Sequence, residues 1–483
     1  MMERLFADLP QTTNIYDVDT TEPVILVVPA EYNVNYVDRL NEDISRFDWV
    51  TLILASDENG FFPVEQLRSV DQLWVLMPHF EKHTYPSNTQ FMGIGAPQHT
   101  YDLMSQFFYY EPEHDCSFSG QITHQRRQEL AEAMDATDWY INKTAGFTQG
   151  LSPDDYARLI VKTKVTPAPS GPVTFDSFRL YETLEAGNVP ILDNKCPIDP
   201  NGRRFWNAVL GEQHPIPSVD NWTVDLVPEV QDVIDNWPHS RLLVYSWWQQ
   251  HKRELRHRLL SPIPGYDPGQ VTVLIPTSPV PSNPSLHIIE ETIASVRHHL
   301  PDAEILILCD GVRPEQEHRR NDYEAYLQEL CWSANFRWHK VTPIVFGGHE
   351  HQANMTRVGL DYVRTPFVLF VEHDTPLVTD LSIDWDGACS LLTTEVDVVR
   401  FHHEAHIHPE HEHMSLDKET QYHGDFPYRR TVQWSQRPHL AGANYYRRII
   451  RDHFPPTGRT MIEDKMHSVA QSWPDEHRIA IYH

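Results

Sequence analysis

The chain reads as an α/β protein with mainly parallel sheets, and three observations carry that reading. Short aliphatic runs alternate with amphipathic segments from residue 24 to residue 250, as in VILVVP (24–29), WVTLILAS (49–56), QLWVLMPHF (72–80) and VPILDN (189–194). Such alternation marks βα units. Residues 251–270, HKRELRHRLLSPIPGYDPGQ, begin as a basic helix end and close on three prolines and two glycines, the composition of a linker. A second βα series then opens with VTVLIPTSP (271–279), SLHIIEETIASVRHHL (285–300) and AEILILCDG (303–311). We therefore expect two small α/β lobes over 1–112 and 113–255, a linker over 256–270, and a further α/β domain over 271–483.

Composition sets the class of molecule. At 483 residues, with 40% apolar and 11% aromatic side chains, the chain can bury a core in each of two or three domains. No stretch reaches the roughly 20 uninterrupted apolar residues of a membrane helix. The start, MMERLFADLPQTTN, lacks the basic opening and apolar run of a signal peptide, so a soluble, cytoplasmic protein with no membrane partner is expected. Five scattered cysteines without CxxC spacing argue against a disulfide framework and against a thiolate zinc site. A formal net charge of −29 repels polyanions and lowers the expectation of a nucleic-acid partner.

In the amino-terminal half, HDCSFSGQITHQRRQELAEAM (114–134) reads as a strand, a glycine turn and a helix with Arg126 and Arg127 near its start. APSGPVTFDSFRLYETLEAGNVPILDN (168–194) reads as a turn, a helix bearing Arg179, Glu182 and Glu185, and a strand after Gly187. A helix amino terminus takes phosphate. The same glutamates also suit an exposed acidic pair on an ordinary helix.

In the carboxyl-terminal half, FVLFVEHDTPL (367–377) drives an apolar strand outward onto Glu372, His373 and Asp374. If the strand continues that far, alternation puts residues 372 and 374 on one side. Two carboxylates aimed at one point repel unless a cation lies between them, and hard oxygen ligands suit Mg²⁺ or Mn²⁺. The triplet also suits a plain strand cap and turn. Downstream, TVQWSQRPHLAGANYYRRIIRDHF (431–454) leads to MIEDKMH (461–467), where Glu463 and Asp464 suit either a helix amino terminus or a general base. RFHHEAHIHPEHEHM (400–414) holds imidazoles at His402, His403, His406, His408, His411 and His413. Dedicated zinc sites use few ligands at definite spacing, so this run is expected to be a loop with adventitious metal affinity.

The ordered pieces of residues 271–483 resemble the nucleotide-sugar-binding domain of GT-A glycosyltransferases, in particular the large inverting family that includes many polysaccharide synthases. The resemblance implies a nucleotide sugar as donor, UDP-linked as first expectation, with Mn²⁺ or Mg²⁺. Thr277 and Ser278 would then lie beside the nucleoside, Asp310 would bind the base or ribose, and Glu372 with Asp374 would stand at the DxD metal motif. Here Glu replaces the first Asp of that motif, and Thr356-Arg357 stands where the family has Arg-Asn, which makes Arg357 the candidate cation for the diphosphate. Asp464 would be the general base with Glu463 beside it, Trp434 and His439 would meet acceptor, and the carboxyl-terminal His483 would be a third metal ligand.

Residues 114–195 resemble the donor-binding half of exostosin-like GT-B glycosyltransferases, with FRLYETLEAG as the core of the match. This implies a GT-B-like pair of Rossmann-type lobes, with Arg126 or Arg127 on the diphosphate, Glu182 on the ribose and Arg179 on the same donor side. The spaced glutamate pair of many retaining GT-B enzymes is not reproduced. The expectation is a two-module glycosyltransferase with a glycan acceptor. Two alternatives are a phage-type enzyme that glycosylates hydroxymethylated bases in DNA, and a carbohydrate-binding scaffold without catalysis.

Overall fold

The computed structural model describes residues 6, 9–29, 36–55, 57–106, 112–146, 149–401 and 409–482. The chain divides into two compact units, Met1–Tyr266 and Asp267–His483, both α/β. Among the described residues no helix is long and apolar enough to cross a membrane.

The first unit holds two sheets. One is a four-stranded parallel sheet of β1 (Val24–Pro29), β2 (Val50–Ala55), β3 (Gln72–Leu76) and β4 (Thr89–Met92), in the order of the chain. Every residue of β2 and β3 is buried, as continuous apolar runs covered on both faces require. The second sheet has five parallel strands, β5 (His114–Gln121), β6 (Tyr140–Thr144), β7 (Thr163–Ala168), β8 (Val189–Asp193) and β9 (Ser218–Val219), in the spatial order β6-β5-β7-β8-β9. The chain runs one way from β5 to β6 and the other way from β7 onward. That reversal opens a crevice at the carboxyl ends of β5 and β7, where open α/β sheets bind ligands. Among the described residues the first sheet has no such reversal.

Two local expectations change. Gly120 lies inside β5 rather than in a turn; a Cβ there would stand 2.6 Å from an Arg179 guanidinium nitrogen. The region expected as linker from 256 begins as the last turn of the helix His239–Leu260, because Leu255, Leu259 and Leu260 pack into a core with Ile53, Trp74 and Met92.

The second unit is built on one nine-stranded mixed sheet. Its strands are β10 (Val271–Thr277), β11 (Glu304–Cys309), β12 (Val341–Val345), β13 (Phe367–Phe370), β14 (Val398–Phe401), β15 (Gln421–His423), β16 (Phe426–Thr431), β17 (His439–Gly442) and β18 (Ile479–Tyr482). The order is β12-β11-β10-β13-β17-β14-β18-β16-β15. The strands β10 to β13 are parallel, and β17 inserts antiparallel between β13 and β14. The chain steps from β10 through β11 to β12 and then returns to the other flank of β10 as β13, so the crevice of this unit lies between the carboxyl ends of β10 and β13. A buried cluster including Leu274, Leu306, Phe370, Ala441 and Tyr446 positions those ends.

Candidate active site at the β10–β13 crevice

The acidic turn comes first. β13 ends at Phe370; one more ladder bond, from the Val371 N–H to the Leu274 carbonyl, carries the chain to Glu372. There the Glu372 carbonyl accepts the N–H of Thr375 at 3.1 Å, so residues 372–375 form a turn and not the extended strand that would align Glu372 with Asp374. The proline at 376 suits such an ending. The Thr292 hydroxyl donates to the His373 carbonyl at 2.7 Å, and the Ser295 hydroxyl accepts the N–H of Leu377 at 3.0 Å. Both serve to pin the turn to the helix His287–His299.

Glu372 is half-buried and Asp374 is exposed. Burial, then the charge of Asp374, then that of Glu463 push the Glu372 carboxyl up to about 7, against a hydrogen bond from Gln352. Glu463 thus shares the electrostatic field of the acidic turn although it comes from the first turn of the helix Ile462–Ser472. The neighbouring Asp464 is exposed. Glu463 accepts the Gln436 backbone N–H at 3.1 Å.

A buried arginine lies close to this cluster. Arg400, on β14, is 6% exposed, and its Nη1 donates to the carbonyl and side-chain oxygens of Gln433, each at 3.0 Å. Burial lowers its guanidinium to about 10, opposed by Glu463 and assisted by Arg437. Nothing in the sequence distinguishes Arg400 from other arginines; only the sheet order brings it to Glu463.

Whether these side chains suit a divalent cation is a question of donor chemistry. Among the described residues, no group of three or more His, Cys, Asp or Glu side chains is arranged to hold a metal by itself. Mg²⁺-like ions, however, keep several waters and take one or two carboxylates together with substrate phosphates. Glu372 and Asp374, hard-oxygen donors whose like charges raise the cost of ionising Glu372, fit an ion of that kind. His483, the expected third ligand, lies outside the described residues, as do His402, His403, His406 and His408 of the histidine-rich run. His411 and His413 sit in the exposed 3-10 turn Pro409–Met414.

Several donor-side expectations change once the side chains are placed. Asp310 follows β11 and is 3% exposed. Its carboxylate accepts the backbone N–H groups of Gly311, Glu350 and His351 at 2.9, 2.7 and 3.2 Å, and His349 Nδ1 lies 2.9 Å away. With its lone pairs so engaged, Asp310 shapes the 348–351 loop and is not a free acceptor for a base or ribose. Gly311 and Gly348 assist: a Cβ on Gly311 would meet the Gly348 carbonyl carbon at 2.2 Å. Arg357 donates to the Asn354 side chain and to the Phe454 carbonyl, which ties the helix His351–Tyr362 to the end of the helix Ala443–His453 and removes its charge from the crevice. The Thr277 hydroxyl is buried, 3.2 Å from the Tyr326 hydroxyl, whereas Ser278 is half-buried at the strand's end.

The acceptor expectation at Trp434 and His439 is overturned. Both are interior, 1% and 0% exposed. His439 stacks on Phe370 and Tyr446, its two nitrogens lie 2.9 Å from the Arg437 carbonyl and 3.2 Å from the Tyr446 hydroxyl, and burial drives its imidazole down to about 4. It sits on β17, a strand flanked on both sides, where a neutral, fully bonded imidazole packs as an aromatic.

In the first unit the two adjacent arginines take opposite roles. Arg126 is buried and forks onto Asp193, whose carboxylate is fully buried and also accepts from Ser170 N and Oγ, Lys195 N and Trp222 Nε1. It is a core ion pair and not a diphosphate ligand. Arg127 instead reaches the Gln121 carbonyl at 3.3 Å, at the carboxyl end of β5. Arg179 donates to the Ser119 carbonyl at 2.5 Å and lies over the Phe118 ring. The two guanidiniums repel: burial and then Arg179 bring Arg127 down to about 10, and the Nε of each is buried without a hydrogen-bond partner among the described residues. Glu182 is buried, accepting from Tyr156 at 2.9 Å and Thr100 at 3.4 Å, with burial raising its carboxyl; it is not presented to a ribose.

Two glutamines join the acidic turn to the helix Ile462–Ser472. Gln352 Nε2 donates to Glu372 at 3.1 Å, while its Oε1 accepts from Gln436 Nε2 and from the Ile462 N–H. Lone amides carry no motif, so only the fold reveals them.

No protein-family model matches the chain, and no curated protein matches it. Among solved structures it is similar to S. aureus TarS 1-349, at 15% identity and a TM-score of 0.28, over 44% of this chain and 58% of that one. It is similar to the mannosyltransferase PcManGT from Pyrobaculum calidifontis in complex with GDP-Man and Mn²⁺, at 11% identity and a TM-score of 0.28, over 50% of this chain and 67% of that one. A second S. aureus TarS structure matches at 15% identity and a TM-score of 0.27, over 44% of this chain and 35% of that one, so the match spans less than two thirds of either TarS chain.

Proposed function

We propose that the Asp267–His483 unit is a nucleotide-sugar-dependent glycosyltransferase that inverts the anomeric centre and works on a glycan acceptor. The observation that carries this reading is the acidic cluster at the β10–β13 crevice. There burial, and then the charges of Asp374 and Glu463, hold the Glu372 carboxyl at about 7. A cluster that costs this much to ionise is suited to a cation and a diphosphate.

Glu372 and Asp374 would hold the divalent ion, whose chemistry would be to neutralise charge on the departing nucleoside diphosphate. Asp464, exposed beside Glu463, would be the base: it accepts the proton of the acceptor hydroxyl while that oxygen bonds to the anomeric carbon. The bond from that carbon to the diphosphate oxygen breaks with its electron pair going to the diphosphate, and attack from the opposite face inverts the centre. Ser278, half-buried just past β10, is the donor-side hydroxyl in this reading, and a UDP-linked sugar is the first donor to try.

In the first unit, Arg127 and Arg179 are read as a second anion site, favoured by their mutual repulsion and partnerless Nε atoms at the β5–β7 crevice. The module would then be GT-B-like and bind a diphosphate of its own.

A donor screen tests the main reading. Each common nucleotide sugar is incubated with Mn²⁺ and the protein, and nucleotide release is measured with no acceptor, with glycans and with hydroxymethylated DNA. Release that requires Mn²⁺ and is lost in Asp374→Ala is expected. Release from both proteins without Mn²⁺ would sink the mechanism, no release in any arm would favour a scaffold, and stimulation by the DNA alone would move the acceptor to modified bases.

A further inference from the structure

The helix Ile462–Ser472 has Met461 at its N-cap and makes no side-chain cap bond of its own. Its first N–H groups therefore need partners from elsewhere. Gln352, 5% exposed, supplies one across 110 residues of chain: its Oε1 accepts the Ile462 N–H at 2.9 Å. The same oxygen accepts Gln436 Nε2, and Gln436 in turn donates its backbone N–H to Glu463. At its other end Gln352 donates Nε2 to Glu372 Oε1 at 3.1 Å.

The orientation of this amide is dictated by chemistry. A backbone N–H is only a donor, so the end of Gln352 that meets Ile462 must be oxygen, which leaves the nitrogen to meet Glu372. Neither a carboxylate nor an apolar side chain of the same size meets both demands.

We infer that Gln352 is a positioning residue: it holds the start of the helix bearing Glu463 and Asp464 in fixed relation to the acidic turn at 372–374. The inference rests on the transferase reading for its functional consequence and on the hydrogen bonds alone for its structural part. A misplacement of about 1 Å at a reacting group costs on the order of 100-fold in rate. Replacing Gln352 should therefore lower turnover through the helix while leaving the exposed part of the donor seat in place.

Two variants separate the halves of the relay. Gln352→Met removes the acceptor for Ile462 and the donor for Glu372. We expect kcat to fall roughly 10- to 100-fold, the donor KM to change by less than about threefold, and backbone amide exchange in the peptide 461–466 to accelerate, with the β13 peptide unchanged. Gln352→Glu keeps an acceptor for Ile462 but sets a carboxylate against Glu372, so peptide 461–466 stays protected, kcat falls less, and donor KM and Mn²⁺ requirement rise. A purely structural role predicts instead the same loss of melting temperature and the same kinetic defect in both. Unchanged exchange in Gln352→Met, or faster exchange with unchanged kcat, overturns the proposal. Wild type without turnover on any donor, combined with faster exchange in Gln352→Met, sinks the transferase reading and leaves the structural tie standing.

Discussion

The carboxylate of Asp310 accepts the backbone N–H of His351, a residue whose φ is +67°. A non-glycine residue in the left-handed region costs on the order of 1 kcal/mol and persists where its surroundings over-determine it. Here the same carboxylate also takes the N–H groups of Gly311 and Glu350, so one side chain sets the path from β12 into the next helix. Asp310→Ala leaves these groups without their acceptor, and we expect a loss of about 2–4 kcal/mol in denaturant unfolding of the second unit. Asp310→Asn, which keeps one acceptor oxygen, should lose less. A base-contacting role would show the reverse, unchanged stability with altered choice among nucleotide bases.

The acidic turn makes a prediction about pH. A carboxyl held near 7 in the folded chain against an ordinary 4.5 favours the folded state when protonated. Its contribution is full below the unfolded value and is lost as pH rises through about 7. A divalent cation binds the ionised form, so Mn²⁺ should raise the melting temperature more at pH 8 than at pH 5. Asp374→Ala removes a like charge from Glu372 and should reduce both the pH dependence and the Mn²⁺ effect. An equal Mn²⁺ shift at both pH values would falsify the assignment of the ion to this turn.

Arg126 and Arg127 should behave oppositely although they are neighbours in sequence. Arg126→Met strands the fully buried Asp193, and breaking a buried pair in this way costs about 3–5 kcal/mol. Arg127→Met removes a guanidinium already disfavoured by burial and by Arg179, so its stability should be unchanged or slightly higher. Pyrophosphate should raise the melting temperature of wild type and raise that of Arg127→Met less. Equal pyrophosphate shifts would remove the anion site.

Asp176 provides a test inside the first unit's core. It accepts the Ile94 N–H at 3.0 Å, the Ser177 N–H at 3.1 Å and the Tyr181 hydroxyl at 2.7 Å, and burial raises its carboxyl to about 7. Its protonated form favours folding, so that contribution disappears as pH rises through about 7. Asp176→Asn keeps an acceptor and cannot ionise. Relative to wild type its advantage should grow as pH rises from the unfolded value of 3.8 to about 7, hold constant above that, and vanish below 3.8. A difference independent of pH across that window would show that Asp176 is not the titrating group.

The alternation of aliphatic runs was enough to find β1, β2, β3 and β8, and in the last three the runs are continuous because those strands are covered on both faces. The same logic exposes FVLF as β13 and marks where its chemistry begins. What escaped the sequence is directional. Arg126 and Arg127 differ by about 100° around a helix, and only the packed sheet decides which one enters the core. His439 looks like chemistry in a string of letters, yet a central strand makes it a packing residue. Gln352, Gln436 and Arg400 act through partners 20 to 110 residues away, and no local pattern announces a partner at that distance.

The close approach of Gly311 to Gly348 has a practical consequence for anyone wishing to rebuild this unit. The two connections leaving β11 and β12 share a single layer of backbone there, so a side chain at 311 forces them apart and carries the left-handed turn at His351 with them. Loop grafts and insertions belong elsewhere, for instance at the exposed hairpin tip near Gly424, where a Cβ meets nothing within 4 Å.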